Sequence, residues 1–418
     1  MRGVPRSSVF DTLKERGFVS QCSNEEGLRK LLDAEQVTFY IGFDPTAKSL
    51  HIGNLLQILF MAHLQRAGHR PIALVGGGTT RIGDPSGKTE MRKILPVETI
   101  AENAGHFRRQ ISRFLDFSEG KALMLDNAEW LAPLNYIEFL RDIGRHFSVN
   151  RMLSFETYKM RMETGLSFIE FNYQILQSYD YLVLFRRHGC RLQMGGDDQW
   201  GNIVAGMDLI RRIEGVEAFA LTSPLVVRSD GKKMGKSEKG ALYLDPEMTS
   251  PYEFYQYWVN VPDADVEQFL MRFTFLPVPE IKDLCAAKDE KINAAKRRLA
   301  LEITTLVHGA AAAGEAAEAA RAAFSTGSDG GPADLSGVPS IEIPRAELEK
   351  GMSAVDLFVR STLCSSKSDA RRLITQGGAY VGRKNITELE AMITADAAED
   401  GVILLRAGKK RYFRILLG

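Results

Sequence analysis

Apolar positions recur along the first third of the chain in a pattern that predicts alternating helices and strands. Apolar residues spaced among charges predict helical structure over residues 8–34, and the β-forming residues 37–41 predict a buried strand. A helix over residues 55–65 and a second strand over residues 72–75 follow, with glycines at the turns. This order is typical of a parallel sheet that helices cover.

The predicted secondary structure and the composition change twice in the later part of the chain. The alternation continues to about residue 212 and includes a strand predicted over residues 191–194, while residues 250–310 are predicted to be mainly helical. Residues 325–339 are rich in Gly, Ser, Pro and Asp, which predicts a linker. A new compact unit is expected from near Gly351 onward.

Charge, cysteine spacing and the length of apolar runs argue against some classes of protein. The chain has 53 basic and 53 acidic residues among 418, which argues against a general nucleic-acid coat protein but leaves room for a local basic surface. The four cysteines have no paired spacing, which indicates reduced thiols in a cytoplasmic protein. No apolar run is long enough to span a bilayer, and we see no secretory signal, so no membrane association is expected. A short organellar address stays open.

A His-Ile-Gly-Asn motif, residues 51–54, lies directly before the helix predicted over residues 55–65. The N–H groups and partial positive charge of a helix N-terminus suit a phosphate. His51 can donate a hydrogen bond to a triphosphate, and Gly53 leaves space for a flat adenine against the backbone. The alternative for this motif alone is an ordinary turn with an incidental histidine.

A second motif, Lys-Met-Gly-Lys-Ser over residues 233–237, follows about 180 residues later. Its glycines allow a loop that moves, and its lysines could oppose the charge that develops as pyrophosphate leaves. Ser237 could add a hydroxyl contact. The alternative for this segment alone is a solvated basic loop, but the two motifs together indicate an ATP site.

Five segments, in order along the chain, resemble the bacterial-type tyrosyl-tRNA synthetases, a family of class I aminoacyl-tRNA synthetases. They are residues 40–46, 82–88, 171–180, 195–203 and 233–237. The resemblance covers nearly the whole chain and implies an α/β fold with a Rossmann-like parallel-sheet catalytic domain, a helical domain and a small α+β RNA-binding domain.

The domain boundaries implied by the resemblance are residues 1–228 for the catalytic domain, 229–325 for the lysine loop and helical anticodon-side domain, 326–350 for a linker and 351–418 for the RNA-binding domain. From Met352 onward the chain has 11 Lys and Arg against 7 Asp and Glu. This basic unit resembles an RNA-binding module first described in a ribosomal protein and is expected to contact the backbone of structured RNA. A plain dimerisation or stability module is the alternative.

The resemblance also implies roles for individual residues. Tyr40 and Asp180 would hold the hydroxyl of substrate tyrosine, and phenylalanine would leave both groups buried and unpaired. The other implied roles are the α-ammonium for Asp84, Tyr173 and Gln177, the carboxylate side for Gln199, ATP contacts for Gly53, Asn54, Gly196, Asp198 and Ser237, catalysis at the phosphates for Thr46, His51, Lys233 and Lys236, and the pyrophosphate side for Lys88 and Arg92. No resident metal is expected.

Three of these residues share one helix face, because Tyr173, Gln177 and Asp180 are four and three positions apart. Such a stripe is often a solvated surface. Its neighbours are apolar here, which favours a buried polar face that needs a ligand as partner.

The chain departs from the family pattern at two positions on the ribose side. Ile41 stands where some members have a cysteine, and it cannot hydrogen-bond a ribose. Asn54 stands where many have a second histidine, and it can still donate. The departures affect the detailed ribose contacts and leave the expected activity unchanged.

The implied reaction has two steps. The carboxylate of L-tyrosine attacks the α-phosphate of ATP, bound with Mg²⁺, to give tyrosyl-adenylate and pyrophosphate, and the 3′ end of tRNA(Tyr) then takes the tyrosine. Neither step needs a protein nucleophile, so catalysis would come from positioning and charge stabilisation. The family also implies a homodimer.

Three other functions remain open. A tryptophan-specific relative shares the fold and both ATP motifs, but an indole has no hydroxyl for Tyr40 and Asp180 to bind. A regulatory or RNA-binding protein built on an inactive synthetase would not need His51 and both loop lysines. A small nucleotidyltransferase would not need the basic C-terminal unit.

Overall fold

The protein is described by a computed structural model. The described residues are 8–87, 90, 92–225, 227, 229, 234–237, 240–286, 292–325, 338–399, 401–408 and 411–418, of which residues 236, 237, 240 and 322–325 are described in the backbone alone.

The helices within the described residues are α1 (Val9–Glu15), α2 (Glu25–Ala34), α3 (Ile52–Arg66), α4 (Val97–Ile111), α5 (Ala128–Leu131), α6 (Tyr136–Asp142), α7 (Val149–Leu153), α8 (Glu156–Thr164), α9 (Phe168–His188), α10 (Trp200–Glu214), α11 (Pro251–Val259), α12 (Val266–Phe273), α13 (Val278–Cys285), α14 (Ile292–His308), α15 (Ala310–Ser325), α16 (Arg345–Glu349), α17 (Ala354–Arg360) and α18 (Lys367–Thr375). No helix in this part of the chain is both long and apolar enough to cross a bilayer.

The strands are β1 (Gln21–Cys22), β2 (Thr38–Phe43), β3 (Arg70–Val75), β4 (Leu123–Asp126), β5 (Cys190–Gly196), β6 (Phe219–Ser223), β7 (Lys236–Ser237), β8 (Gly240–Ala241), β9 (Ser340–Ile343), β10 (Met352–Ser353), β11 (Ala379–Val381), β12 (Lys384–Ile386), β13 (Met392–Ile393), β14 (Val402–Ala407) and β15 (Arg411–Leu417).

The chain divides into two compact units. The first comprises Met1–Lys236, Gly240–Met248 and Val261–Ala295, and the second comprises Ser237–Lys239, Thr249–Asn260 and Lys296–Gly418.

The first unit is built on a six-stranded sheet with the strand order β1-β6-β5-β2-β3-β4. The five strands from β6 to β4 are parallel to one another. Helices such as α3 cover these strands, and the apolar residues of α3 from Ile52 to Leu64 are buried. The predicted Rossmann-like parallel sheet is therefore confirmed.

The strand order places a topological switch point at the middle of this sheet. From β2 the chain moves outward to β3 and β4, and it then returns to the other side of β2 as β5 and β6. Crossover helices therefore lie on opposite faces on the two sides of this point, which leaves a crevice beyond the carboxyl ends of β2 and β5. Ligands bind in such crevices in open α/β sheets.

The predicted helical stretch over residues 8–34 is wrong in its middle. α1 is followed by Gly17 in a left-handed conformation, with a φ of 75°, and residues 21 and 22 then form β1. The backbone N–H of Ser20 donates to the carbonyl of Thr222 at 2.8 Å, beside the antiparallel pairing of β1 with β6. Pairing with the exposed edge of β6 thus overrides the local helical pattern.

The second unit contains helices α11 and α15 and a five-stranded sheet with the order β12-β11-β14-β15-β9. Its core packs Phe358 of α17 and Ile374 of α18 together with inward-facing sheet residues such as Ile403 and Ile415. The predicted helical content of residues 250–310 and the small α+β unit are both present.

The predicted linker over residues 326–350 differs from the structure in its second half. β9 pairs in parallel with β15, from Arg414 beside Ser340 to Leu417 beside Ile343. The C-terminal sheet thus includes residues well before residue 351, because the edge of β15 is completed by a strand from the preceding segment. Residues 326–337 lie outside the described residues.

Candidate active site

A cavity of about 350 Å³ lies at the switch point, beyond the carboxyl ends of β2 and β5. Most of the residues predicted for the site line it. They are Tyr40, Thr46, His51, Gly53, Asn54, Asp84, Arg92, Tyr173, Gln177, Asp180, Gly196, Asp198 and Gln199. The structure thus brings together side chains that are up to about 160 positions apart in the sequence.

His51 caps the N-terminus of α3. Its Nδ1 accepts from the backbone N–H of Gly53 at 3.0 Å, and the side chain of Asn54 accepts from the backbone N–H of His51 at 3.0 Å. Because Nδ1 is an acceptor, a neutral ring carries its proton on Nε2 and can donate there. A Cβ added at Gly53 would lie 2.9 Å from the His51 ring, so only glycine fits this capping geometry.

The second motif lies against the first. Gly235 has a φ of 77°, and a Cβ added there would lie 2.8 Å from Cγ2 of Ile52. Its carbonyl accepts from the N–H of Leu242, whose own carbonyl accepts from the N–H of Ile52. Leu242 thus connects the backbone of Gly235 with that of Ile52 beside the start of α3, where a triphosphate would be favoured.

The lysines of that motif are only partly described. Lys233 lies outside the described residues, as does Lys88. Lys236 and Ser237 form β7, and their backbone alone is described. The implied roles of these four residues stay predictions.

Asp180 is a buried carboxyl held by two donors. Asn127 Nδ2 donates to Oδ2 at 2.9 Å, and Trp130 Nε1 donates to Oδ1 at 2.7 Å. Burial raises the pKa of Asp180 to about 8, although both hydrogen bonds act in the opposite direction. A carboxyl with such a pKa is available in both protonation states near neutral pH, so it can accept a hydrogen bond from a phenol or donate one.

Tyr40 lines the same cavity and is almost fully buried. Burial, and then the neighbouring Asp180 carboxyl, raise the pKa of Tyr40 well above its usual range. Within the described part of the chain its hydroxyl has no hydrogen-bond partner. A buried hydroxyl without a partner is costly, which indicates that a ligand supplies one.

A second buried carboxyl, Asp44, lies at the end of β2. Its oxygens accept from Thr79 Oγ1 at 2.7 Å and from the hydroxyl of Tyr173 at 2.8 Å. Burial raises the pKa of Asp44 to about 6. The same network ties Tyr173 of α9 to the strand end, which orients one member of the predicted ammonium site.

Polar side chains from three segments form a connected network around Asp84. Gln199 Nε2 donates to Asp84 Oδ2 at 2.7 Å, and Arg92 Nε donates to the Asp84 carbonyl at 2.8 Å. Asn202 Nδ2 lies 3.2 Å from Oε1 of both Gln177 and Gln199. This network holds Asp84, Gln177 and Gln199 in fixed orientations at the cavity wall.

Asp198 follows β5 and faces the backbone of Gly196. A Cβ added at Gly196 would lie 2.7 Å from Asp198 Oδ1, so glycine permits this approach. Burial, and then the charge of Asp84, raise the pKa of Asp198. Ile41 lines the same cavity, where it offers only apolar contact.

Sequence reasoning missed several residues that shape the site. They are Asp44, Thr79, Asn127, Trp130 and Asn202. A signal was available for two of them, since Asp44 belongs to the motif segment 40–46 and Asn202 to the motif segment 195–203. Asn127 and Trp130 follow β4, whose strand was not predicted, so no local signal marked them. Within the described residues, no group of three His, Cys, Asp or Glu could hold a metal ion.

The fold and the site define a class of protein. A family model described as tRNA synthetases class I (W and Y) matches residues 32–325. A second model, described as a tyrosine--tRNA ligase SYY-like C-terminal domain, matches residues 333–415. Together the two models match nearly the whole chain.

Proteins similar in sequence and in structure identify the family within this class. The tyrosine--tRNA ligase of Acetivibrio thermocellus is 53% identical over 411 residues, which are 98% of this chain and 100% of the relative. That of Caldanaerobacter subterraneus subsp. tengcongensis is 54% identical over 410 residues, which are 98% and 99%. A crystal structure of a C-terminally truncated mitochondrial tyrosyl-tRNA synthetase from Aspergillus nidulans matches with a TM-score of 0.68 and 30% identity, over 75% of this chain and 93% of that one. The chain belongs to the tyrosine--tRNA ligase family.

Proposed function

We propose that this protein activates L-tyrosine with ATP and transfers the tyrosine to the 3′ end of tRNA(Tyr), and that the cavity at the switch point is where both steps occur. The observation that carries the proposal is that one cavity is lined by the buried Asp180 carboxyl and by the buried Tyr40 hydroxyl, which has no hydrogen-bond partner among the described residues. Tyrosine is the amino acid whose phenol would satisfy both groups.

The phenol end of the site selects tyrosine by hydrogen bonding. The substrate hydroxyl contacts Asp180 and Tyr40, while Asn127 and Trp130 hold the Asp180 carboxyl in place. Phenylalanine would leave the Tyr40 hydroxyl buried and unpaired, at a cost of about 1–3 kcal/mol. An indole could donate its N–H to Asp180 but has no oxygen to accept from the Tyr40 hydroxyl, which disfavours tryptophan.

The α-ammonium of tyrosine binds Asp84, Tyr173 and Gln177, and Gln199 lies beside the carboxylate. Asp44 supports the ammonium site through its hydrogen bond with the Tyr173 hydroxyl. A cation placed there lowers the pKa of Asp44, since an opposite charge favours the ionised carboxyl. The site thereby binds the substrate at both ends, at its ammonium and at its phenol. This orients the carboxylate of the substrate toward ATP.

ATP binds beside the start of α3, as the complex with Mg²⁺. Gly53, Asn54, Gly196 and Asp198 contact the adenosine of ATP, and Ser237 adds a hydroxyl contact from the lysine loop. Thr46 and His51 meet the phosphates, where the helix N-terminus and the Nε2 proton of His51 stabilise negative charge.

Positively charged side chains stabilise the negative charge that develops on the leaving pyrophosphate. Lys233 and Lys236 close over the triphosphate, and Lys88 and Arg92 lie on the pyrophosphate side. The position of Gly235 against Ile52 supports this placement of the loop. Removing either loop lysine should slow activation far more than it weakens tyrosine binding.

The C-terminal unit binds tRNA through its basic surface. The guanidinium of Arg406 stacks on the ring of Tyr380 at 3.8 Å, on the sheet face opposite the core. Cations and aromatic rings presented on a sheet suit contact with an RNA backbone and unstacked bases.

The protein acts as a homodimer in the cytoplasm. An apolar surface is supplied by α6 to α9, in which Ile137 and Phe168 are 70% and 72% exposed. Apolar exposure concentrated in one segment is typical of a surface that a partner covers. Sedimentation of wild type and Phe168→Glu tests this, and a monomer in both would contradict it.

Amino-acid-dependent exchange of pyrophosphate into ATP tests the proposed function. Exchange with tyrosine, and little with phenylalanine or tryptophan, is the expected result. Exchange driven by tryptophan would overturn the specificity. The absence of exchange with all three would favour a scaffold without catalytic activity.

A further inference from the structure

The buried face of α4 carries two amide side chains among apolar ones. Asn103 and Gln110 are only 2% and 5% exposed, and they share this face with buried Phe107 and Ile111. The two amides lie about two turns apart on the same side of the helix. A buried amide is costly unless it is hydrogen-bonded. Both amides make their hydrogen bonds with the loop of residues 44–51, which joins β2 to α3.

Gln110 holds the end of this loop. Its Oε1 accepts from the backbone N–H of Leu50 at 2.9 Å, directly before His51. Its Nε2 donates to Ser49 Oγ at 3.2 Å, and the same hydroxyl accepts from the backbone N–H of Asp245 at 3.1 Å. One buried side chain thus connects α4 with the residue before His51 and with the segment that follows the Lys-Met-Gly-Lys-Ser motif.

Asn103 holds the start of the same loop. Its Nδ2 donates to the carbonyl of Pro45 at 3.1 Å, directly before Thr46. Its Oδ1 is buried and has no hydrogen-bond partner within the described residues. An apolar side chain at this position would avoid an unsatisfied acceptor, but it would leave the Pro45 carbonyl without this donor. The contact with the loop is therefore what an amide supplies here and an apolar side chain does not.

We propose that Asn103 and Gln110 are positioning residues for adenylate formation, which hold Thr46 and His51 where these two side chains meet the phosphates of ATP. Neither amide is among the residues that line the cavity, so both act through the loop. The inference rests on the proposed function, since it requires ATP at the start of α3. Positioning of this kind matters because a displacement of about 1 Å can slow a reaction about a hundredfold.

The first test measures the rate constant of tyrosyl-adenylate formation in single turnovers of wild type, Gln110→Met and Asn103→Leu. Methionine and leucine suit a helix but cannot make these hydrogen bonds. Each variant should lower the rate constant at least about tenfold, while the Kd for tyrosine stays within about twofold. Titration of the active sites normalises each rate, so that unfolded protein does not lower it.

Ile111→Val is the matched control, because Ile111 lies next to Gln110 on α4 and is fully buried, and its apolar side chain makes no hydrogen bond. It should lower the thermal midpoint and leave the rate constant unchanged. Gln110→Glu keeps an acceptor for the N–H of Leu50 and should recover most of the rate that Gln110→Met loses. A rate constant that merely follows the thermal midpoint across these variants would contradict a positioning role.

A double-mutant cycle tests whether Gln110 acts through His51. In a His51→Ala background, Gln110→Met should lower the rate constant no more than about twofold, because the side chain that it positions is absent. The same loss in both backgrounds would overturn the inference, and so would wild-type rates in folded Gln110→Met and Asn103→Leu. If Gln110→Met does not fold, Asn103→Leu combined with Thr46→Ala gives the equivalent cycle. Absence of adenylate formation in wild type would instead contradict the proposed function, so the two failures are distinguishable.

Discussion

Replacing Asp180 with asparagine should flatten the pH dependence of stability in the neutral range. Burial raises the pKa of Asp180 to about 8 in the folded protein, from an ordinary value of 3.8. Between these values the native state keeps a proton that the unfolded state has released. Stability from this group is therefore fully present below the unfolded pKa and is lost as the pH rises through the folded pKa.

The slope follows from proton linkage. One retained proton lowers the free energy of unfolding by about 1.4 kcal/mol per pH unit, so about 2.8 kcal/mol is lost between about pH 5 and pH 7. For a unit of this size that corresponds to roughly 3–6 °C in the unfolding midpoint per pH unit. Asp44 contributes in the same direction up to its pKa of about 6, but it is present in both proteins and cancels in the comparison.

Thermal unfolding of wild type and Asp180→Asn in matched buffers from about pH 5 to pH 8 measures this difference. Asparagine turns an amide N–H₂ toward the donors Asn127 or Trp130, which lowers stability by an amount that does not depend on pH. The prediction therefore concerns the slope, and the wild-type midpoint should fall relative to that of the variant. Asp396→Asn, at an exposed position, should keep the wild-type slope. Parallel curves for wild type and Asp180→Asn would refute the assignment of a retained proton to Asp180.

Three further variants test the site. Gly53→Ala should lower kcat at least about tenfold with little change in the KM for tyrosine, because its Cβ meets the His51 ring and disturbs the phosphate end; steady-state exchange kinetics would show it, and an unchanged kcat would count against the capping role. Trp130→Phe should raise the KM for tyrosine about tenfold and leave that for ATP unchanged, since it removes one hydrogen bond to Asp180; equal changes in both constants would argue for a general structural effect. Lys233→Ala should lower kcat in single-turnover adenylate formation while tyrosine affinity, measured by equilibrium titration, stays the same; equal loss of both would contradict its role.

The sheet could be predicted from the sequence because its strands and helices carry strong, separate patterns. Buried strands such as β2 and β3 are short apolar runs bounded by glycine, and a helix that follows a strand predicts parallel pairing. β1 could not be predicted, because it exists only through pairing with β6, which is about 200 residues away in the sequence. The same holds for β9, whose pairing with β15 completes the C-terminal sheet.

The site was predictable where its residues belong to motifs with a known order. Tyr173, Gln177 and Asp180 share a helix face that the sequence alone defines, and all three line the cavity. Asn127 and Trp130 were not predictable, since their importance comes from a contact with Asp180 made across the tertiary structure. A buried hydroxyl that lacks a partner among the described residues, such as that of Tyr40, is visible only once its surroundings are known.

The central claim is that the hydroxyl of the substrate is sensed by Tyr40 together with Asp180. It is tested most directly by the ratio of kcat/KM for tyrosine to that for phenylalanine, measured by pyrophosphate exchange in wild type and in Tyr40→Phe. We predict that this ratio falls at least about tenfold in the variant. Bound phenylalanine no longer leaves a buried hydroxyl without a partner, and bound tyrosine loses its hydrogen bond with the Tyr40 hydroxyl. The same ratio in both proteins would contradict the account.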